Sequence, residues 1–460
     1  MSQPKKIFGT DGVRGTANVE PVTAETALKL GRAAAHVFKN LELQSRGRGK
    51  HKIVIGKDTR LSGYMLENAI SSGILSMGVD VLFIGPLPTP GVAYATRSLR
   101  ADAGIVITAS HNPYADNGIK FFHADGYKLD DQIENQIEDL VFGGEIEKIR
   151  PAASEIGKAV RIDDALGRYI EFAKASFPRG LTLEGLRVVV DCAHGAAYKS
   201  TPSVLHELGA EVIVYGNRPD GMNINKDCGS MHPAQMCHNV AEHKAHIGIA
   251  HDGDADRVLL CDEYGKLIDG DDIMAIAALD MLEKKTLAKK TLVATVMSNA
   301  GLEDAIQNAG GKIIRTAVGD RNVIDEMLKH GFNFGGEQSG HLIFRDFGTT
   351  GDGLVAALQI LRIMREKNLP LSKLAKCWTR FPQLVTNVKV REKKPFEQID
   401  GVTKLVAEAE KELKAQGGRV LLRYSGTEPK ARLLLEGRDE KVLKDWSQKI
   451  CGAIQKQIGA

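Results

Sequence analysis

The 460-residue chain has no long apolar run: its apolar stretches are strand-sized, short of the roughly 20 residues a membrane span needs. It also lacks an excess of charge, with 61 Lys plus Arg against 58 Asp plus Glu. That balance excludes a nucleic-acid protein held by bulk positive charge, so neither membrane nor nucleic acid is expected as a partner. Cysteines are few and scattered (Cys192, Cys228, Cys237, Cys261, Cys377, Cys451), with no Cys-x-x-Cys pair. They read as reduced thiols rather than a disulfide framework or a zinc site. The opening residues carry charge but no apolar run behind it, so no signal peptide and a cytoplasmic location are expected. An apolar fraction of 43% and a charged fraction of 26% exclude a disordered chain. Glycine is the one excess, 48 of 460 residues, against roughly 7% on average. Many glycines mean many tight loops, and tight loops are where phosphates bind.

One pattern occurs three times: apolar strand, polar loop, amphipathic helix, glycine stop and second strand. It runs over residues 52–84, with Gly78 as the stop, over 187–215 with Gly209, and over 291–316 with Gly310 and Gly311. This is a βαβ signature, which implies parallel pairing, and the glycines stand where helices end in a left-handed residue. Repeats spaced this far apart imply three related α/β domains with mixed, largely parallel sheets. After about residue 381 the pattern changes to strand (384–390), helix (395–416), two strands (418–424, 431–436) and a helix from Glu440. That is a smaller α+β domain. The expected domains are 1–157, 158–266, 267–380 and 381–460. The basic stretch 44–52 reads as a solvated loop.

Four loops carry chemistry. In the first, Thr108-Ala109-Ser110-His111-Asn112-Pro113 follows an apolar strand, and Asn117-Gly118 signals a hairpin. Ser110 and His111 then sit at a strand's end with Lys120 returning nearby, the inventory of an activated nucleophile. In the second, Asp252, Asp254 and Asp256 alternate. Three carboxylates converge only where a cation cancels their repulsion. Glu263 falls at the twelfth position of an EF-hand pattern, but Arg257 occupies the sixth, which must be glycine, so calcium in that geometry is rejected and magnesium fits better. The third, Gly335-Gly336-Glu337-Gln338-Ser339-Gly340-His341, has the donors and acceptors to grip sugar hydroxyls. The fourth, Arg423-Tyr424-Ser425-Gly426-Thr427-Glu428-Pro429 with Arg432 beyond it, is suited to a dianionic phosphate. Arg14, among glycines near the start, and Arg60, in the loop of the first repeat, are further cations for substrate binding. His194, in the equivalent loop of the second repeat, reads as structural. The four loops fall one per domain, so they act together only if the domains surround one central cleft. A serine nucleophile with magnesium, and neither a Walker motif nor base-binding aromatics, points to phosphoryl transfer on a small phosphosugar without ATP.

These four segments, in this order, resemble the α-D-phosphohexomutase family over the whole chain. The resemblance implies that Ser110 carries a phosphoryl group and that this phosphoserine, with Asp252, Asp254 and Asp256, holds one Mg2+ per chain. It implies Lys120 as general acid/base, His111 as support for the loop and Arg257 as a grip on the phosphoryl group. Glu337, Ser339 and His341 would contact the sugar, and Arg423, Ser425, Gly426, Thr427 and Arg432 would anchor the phosphate that stays on it. A bisphosphate intermediate would turn end for end, which implies domain motion and a hinge near residues 378–382. Gln338, where the phosphomannomutase/phosphoglucomutase branch usually has methionine, and the Phe-Gly-Thr-Asp-Gly-Val-Arg-Gly opening resemble the branch that interconverts glucosamine 6-phosphate and glucosamine 1-phosphate for amino-sugar nucleotide synthesis. A mutase of broader sugar range is the alternative. A phosphosugar sensor would not need the intact nucleophile and triad, and a phosphatase would release inorganic phosphate. A homodimer is left open. Ala255 departs from the glycine usual in that branch, and the metal site is expected to survive unless position 255 requires a positive φ.

Overall fold

The computed structural model describes residues 7–9, 11–43, 50–425 and 429–460. Most of the basic stretch 44–52, and Gly426, Thr427 and Glu428 of the fourth loop, lie outside the described residues. Among the described residues the strands form four sheets. The first holds β1 (Phe8–Gly9), β2 (Gly12–Thr16), β3 (Lys52–Lys57), β4 (Asp80–Pro86), β5 (Ala103–Ile107), β6 (Asp116–His123) and β7 (Ala159–Arg161) in the order β1-β2-β6-β5-β3-β4-β7. Pairs β5-β3, β3-β4 and β4-β7 are parallel, and the β1-β2, β2-β6 and β6-β5 pairs are antiparallel. The second sheet holds β8 (Arg187–Asp191), β9 (Glu211–Tyr215), β10 (Ile247–His251), β11 (Val258–Asp262) and β12 (Leu267–Ile268), ordered β12-β11-β10-β8-β9. The third holds β13 (Thr291–Thr295), β14 (Lys312–Thr316), β15 (Phe334–Gly336) and β16 (Leu342–Phe344), ordered β14-β13-β15-β16. β5, β10 and β13 are buried along their whole length, the pattern of strands covered on both faces.

The three repeats are visible as built elements. Their helices, Ser62–Ser76, Ser200–Glu207 and Ala300–Asn308, are followed by Gly78, Gly209 and Gly310 at φ of +80°, +96° and +78°. A side chain with Cβ is strained there, so glycine ends each helix and lets the chain turn into the next strand. β3-β4 and β8-β9 are the parallel pairs that the βαβ pattern implied.

Contacts divide the chain into two compact units, Met1–Val296 with Ile314–Ala375 and Met297–Ile313 with Lys376–Ala460. In the second, β17 (Gln383–Lys389), β18 (Arg419–Tyr424) and β19 (Lys430–Glu436) form an antiparallel sheet ordered β17-β19-β18. Helices Val402–Lys414 and Glu440–Ile458 cover it over a core that includes Leu433, Leu435, Trp446 and Ile450. Asn299 belongs to this unit: its amide donates to Phe381 O and accepts from Phe381 N, both at 3.0 Å. The expected helix over 395–416 is broken. A short 3-10 turn (Phe396–Gln398) precedes Gly401 at φ +73°, and the α-helix starts only at Val402. No described helix is long and apolar enough to cross a membrane.

The Asn117-Gly118 hairpin reading is also corrected. Both residues lie inside β6, and the turn from β5 is the longer 108–115 segment. Gly118 is needed for close approach, not for a turn: a Cβ there would meet Thr108 O and Val13 O, each at 2.7 Å.

Candidate active site

Ser110 stands just beyond the end of β5, 1% exposed and at φ +52°. A serine held in the left-handed region is strained, and such strain persists only where neighbours over-determine it. Here they do. Thr108 Oγ1 accepts from Ser110 N at 2.9 Å and donates to Asp58 Oδ2 at 2.7 Å. Arg60 donates from Nε to Asp58 Oδ2 at 2.8 Å, from one terminal nitrogen to Ser110 O (2.9 Å) and Asn112 O (2.8 Å), and from the other to Pro113 O and Asp116 O. Asn225 Nδ2 donates to the same Ser110 and Asn112 carbonyls, at 2.8 and 3.0 Å. Arg60 is 1% exposed and all five of its N–H groups are engaged. Its expected substrate contact is therefore corrected: Arg60 shapes the Ser110 loop and has no donor left for a ligand.

The loop between β10 and β11 meets this one. Ser110 Oγ donates to Asp252 Oδ2 at 2.6 Å. Gly253, between two of the aspartates, is where the loops touch: a Cβ there would lie 2.6 Å from Ser110 O. Carboxylate oxygens of buried Asp252, Asp254 and Asp256 lie within 4.8 Å of one another. Thr89, opening the helix Thr89–Ser98, donates its N–H to Asp254 O (2.9 Å) and its hydroxyl to Asp254 Oδ2 (2.7 Å). Among the described residues, Asp254 Oδ1 and Asp256 Oδ1 are buried without a hydrogen-bond donor. Burial, then Asp256 and Asp254, pushes the Asp252 carboxyl well above its usual range, and burial and Asp254 push Asp256 up. Buried oxygens without donors on mutually repelling carboxylates fit a divalent cation, so the triad could hold a metal ion. Ala255 sits at φ +57°, so alanine here takes the left-handed conformation that glycine favours, and the three carboxylates still converge.

Lys120, on β6, is 2% exposed. Its Nζ lies 3.0 Å from Asp11 Oδ2, 3.1 Å from Asp254 Oδ2 and 3.8 Å from Asp256 Oδ2. Burial would lower its pKa, but the three carboxylates outweigh burial and raise it, so it is held as an ammonium. His111 Nδ1 is 3.4 Å from Ser110 Oγ. Burial, then Arg257 and Arg14, lowers its pKa to about 4, leaving a neutral imidazole at pH 7. Arg257 lies beside the triad with Nε 4.0 Å from Asp256 Oδ1. Arg14 is paired with Asp11.

The third loop divides. Glu337 Oε1 accepts from Gly319 N at 3.0 Å, and Ser339 is exposed. Gln338 Nε2 makes a long hydrogen bond, 3.4 Å, to Asp269 Oδ2. His341 is 2% exposed, and its Nε2 faces Asp320 Oδ2 at 3.5 Å and Asp256 Oδ2 at 3.8 Å. Gly351 lies flat on its ring, where a Cβ would come within 2.4 Å of Nε2. In the second unit, β18 and β19 place Arg423 directly opposite Arg432. Ser425 is buried; its N–H donates to Lys430 O at 2.9 Å and its carbonyl accepts from Lys393 Nζ at 2.6 Å.

Four family models match the chain: phosphoglucomutase/phosphomannomutase alpha/beta/alpha domain I over residues 5–147, domain II over 167–265, domain III over 269–381, and the C-terminal domain over 385–453. The chain belongs to the phosphoglucomutase/phosphomannomutase family. Within it, the chain is 58% identical to the phosphoglucosamine mutase of Geobacter metallireducens over 455 residues, covering 99% of each. It is equally, 58%, identical to that of Pelobacter propionicus, again over 99% of each chain. Among solved structures, a phosphoglucomutase/phosphomannomutase family protein from Burkholderia thailandensis superposes with a TM-score of 0.80 at 24% identity, covering 98% of this chain and 97% of that one. The fold is therefore that of the phosphoglucomutase/phosphomannomutase family.

Five residues of this family member's site carried no signal in the reading of the motifs: Asp11, Thr89, Lys128, Asn225 and Asp320. Each comes singly from its own segment, and only the three-dimensional arrangement brings them to the loops. Asp11 was the most accessible of them, since it lies three residues before Arg14 in the glycine-rich opening.

Proposed function

We propose that the chain interconverts glucosamine 6-phosphate and glucosamine 1-phosphate, with Ser110 as the phosphoryl carrier and a sugar bisphosphate as intermediate. The observation that carries this reading is the seat of Ser110: a strained, fully buttressed serine whose Oγ points into a buried carboxylate triad beside a buried ammonium. Asp252, Asp254 and Asp256, with the phosphoserine, would hold one Mg2+, which when bound offsets the charge of the phosphoryl oxygens. In the forward half-reaction the P–O bond to Ser110 breaks as one forms to the free sugar hydroxyl. Lys120, held as an ammonium, gives a proton to Ser110 Oγ as the bond to phosphorus breaks and is reprotonated by the proton the sugar hydroxyl gives up, so it ends the half-reaction as it began. The return half-reaction reverses these roles on the other phosphate. Arg257 and Arg14 steady the transferring group, and neutral His111 supports the serine. Arg423, Ser425, Gly426, Thr427 and Arg432 hold the phosphate that stays on the sugar, as the facing arginines suit. Glu337 and Ser339 take the hydroxyls.

The sugar assignment is supported by full-length identity to curated phosphoglucosamine mutases. It is supported too by Gln338, whose Nε2 is turned to Asp269, so that its carbonyl oxygen can accept from a 2-ammonium group. The product would feed amino-sugar nucleotide synthesis in the cytoplasm. Mass spectrometry of the protein after exposure to the sugar bisphosphate tests the reading. One phosphoryl group is expected on the peptide containing Ser110 and none on Ser110→Ala. Labelling elsewhere, or turnover surviving in Ser110→Ala, would overturn it.

A further inference from the structure

The ion pairs at Lys120 continue into a closed ring in which Asp11, Lys128 and Asp320 have no part in the reaction as proposed. Asp11 Oδ2 is 3.0 Å from Lys120 Nζ, and Asp11 Oδ1 is 2.5 Å from Lys128 Nζ. Lys128 also pairs with Asp320, the first residue of the helix Asp320–His330. Asp320 faces His341 at 3.5 Å, His341 faces Asp256 at 3.8 Å, and Asp256 returns to Lys120 at 3.8 Å. Arg14 adds a third cation to Asp11.

Three carboxylates face Lys120, and two of them, Asp254 and Asp256, belong to the triad assigned to the metal. A cation held there would take up part of their charge. Among the described residues, Asp11 is the one counter-charge at Lys120 outside the triad, and it also pairs with Arg14. A lysine side chain has four rotatable bonds and a point charge, so its ammonium stays where its partners fix it.

We propose that Asp11 is a positioning residue: its two carboxylate oxygens pin Lys120 and Lys128, it holds Arg14 beside them, and Lys128 and Asp320 extend the restraint to His341. The inference rests on the phosphoserine reading above and adds the residue that aims its acid. Asp11→Asn keeps the shape and removes the charge, whereas Asp11→Ala removes both. Both variants are expected to lower kcat about 10–100-fold, the scale of a misplacement near 1 Å, with KM for the sugar phosphate within about threefold of wild type. Lys128→Met should lower kcat less, since Lys120 and Arg14 still hold Asp11. The double variant Asp11→Asn/Lys128→Met should fall no further than Asp11→Asn, because the two act through one link. Thermal midpoints measured alongside separate lost positioning from lost folding.

Asp11→Asn within about twofold of wild-type kcat would overturn the proposal. So would a loss confined to KM, a loss seen in Asp11→Ala but spared in Asp11→Asn, or strict additivity in the double variant. A wild-type protein without mutase turnover, or an active Ser110→Ala, would instead overturn the phosphoserine reading itself.

Discussion

Arg60 separates a loop-shaping role from a substrate-binding one, and replacing it by methionine tests which it has. The substitution keeps a long apolar stem and removes the guanidinium that faces fully buried Asp58. Breaking a buried ion pair on one side costs about 3–5 kcal/mol, because the remaining charge is left without compensation. The carbonyls add less. Those of Ser110 and Asn112 keep Asn225, and that of Pro113 keeps the Asp116 amide. Asp58 therefore dominates, and Arg60→Met should lose on the order of 4 kcal/mol in urea denaturation. Adding Asp58→Asn removes the stranded charge and keeps a side chain that can meet the Thr108 hydroxyl, so the double variant should recover about half of the loss. In steady-state kinetics at a temperature where the variant is folded, kcat should fall as the Ser110 loop loosens, with KM little changed. A variant within about 1 kcal/mol of wild type whose KM rises tenfold at unchanged kcat would refute this account and restore Arg60 as a substrate ligand.

Ala255→Gly should be nearly neutral. Relief of the left-handed conformation at φ +57° is worth about 1–2 kcal/mol, against about 0.4–1 kcal/mol of added unfolded-state freedom and about 0.8 kcal/mol for the buried methyl. A change beyond about 2 kcal/mol in urea denaturation, or altered Mg2+ affinity by calorimetry, would contradict that balance. Gly118→Ala should lose about 1–3 kcal/mol, the range for overpacking, because its Cβ meets two backbone carbonyls that cannot give way. Asp352, capping the helix Gly353–Lys367 and accepting from Tyr169 Oη at 3.0 Å, has its pKa raised by burial to about 6. The folded state thus binds more protons than the unfolded one, and this group's contribution to stability is lost as pH rises from about 4 to about 6, by up to about 3 kcal/mol. Asp352→Asn has no such titration, so its stability relative to wild type should rise across that window. A difference that stays flat between pH 4.5 and pH 7 would contradict the buried carboxyl's role.

What the chain discloses about itself follows how its chemistry is distributed. Ser110, Lys120 and the three aspartates could be read because each group is concentrated in one strand–loop–strand segment, where residue type and spacing carry the meaning. The repeats could be read because Gly78, Gly209 and Gly310 stand at positions that need a positive φ. Arg60 was misplaced because a cation in a polar loop says nothing about what it faces, and here it faces four carbonyls and an aspartate of its own fold. Asn117-Gly118 has a turn's sequence and lies in a central strand, because close approach of neighbouring backbone excludes a Cβ as firmly as a turn does. Asp11, Lys128 and Asp320 acquire meaning only from one another.

Transfer of a phosphoryl group from Ser110 to a glucosamine phosphate is the reaction on which every role proposed above depends. The most direct test compares kcat/KM of the wild-type protein on glucosamine 6-phosphate, mannose 6-phosphate and glucose 6-phosphate with Mg2+, alongside Ser110→Ala. A preference of about tenfold or more for the glucosamine substrate, about 1.4 kcal/mol of differential transition-state binding, is expected, and it should be lost in Ser110→Ala. Equal or better turnover of mannose or glucose phosphate, or full activity in Ser110→Ala, would contradict it.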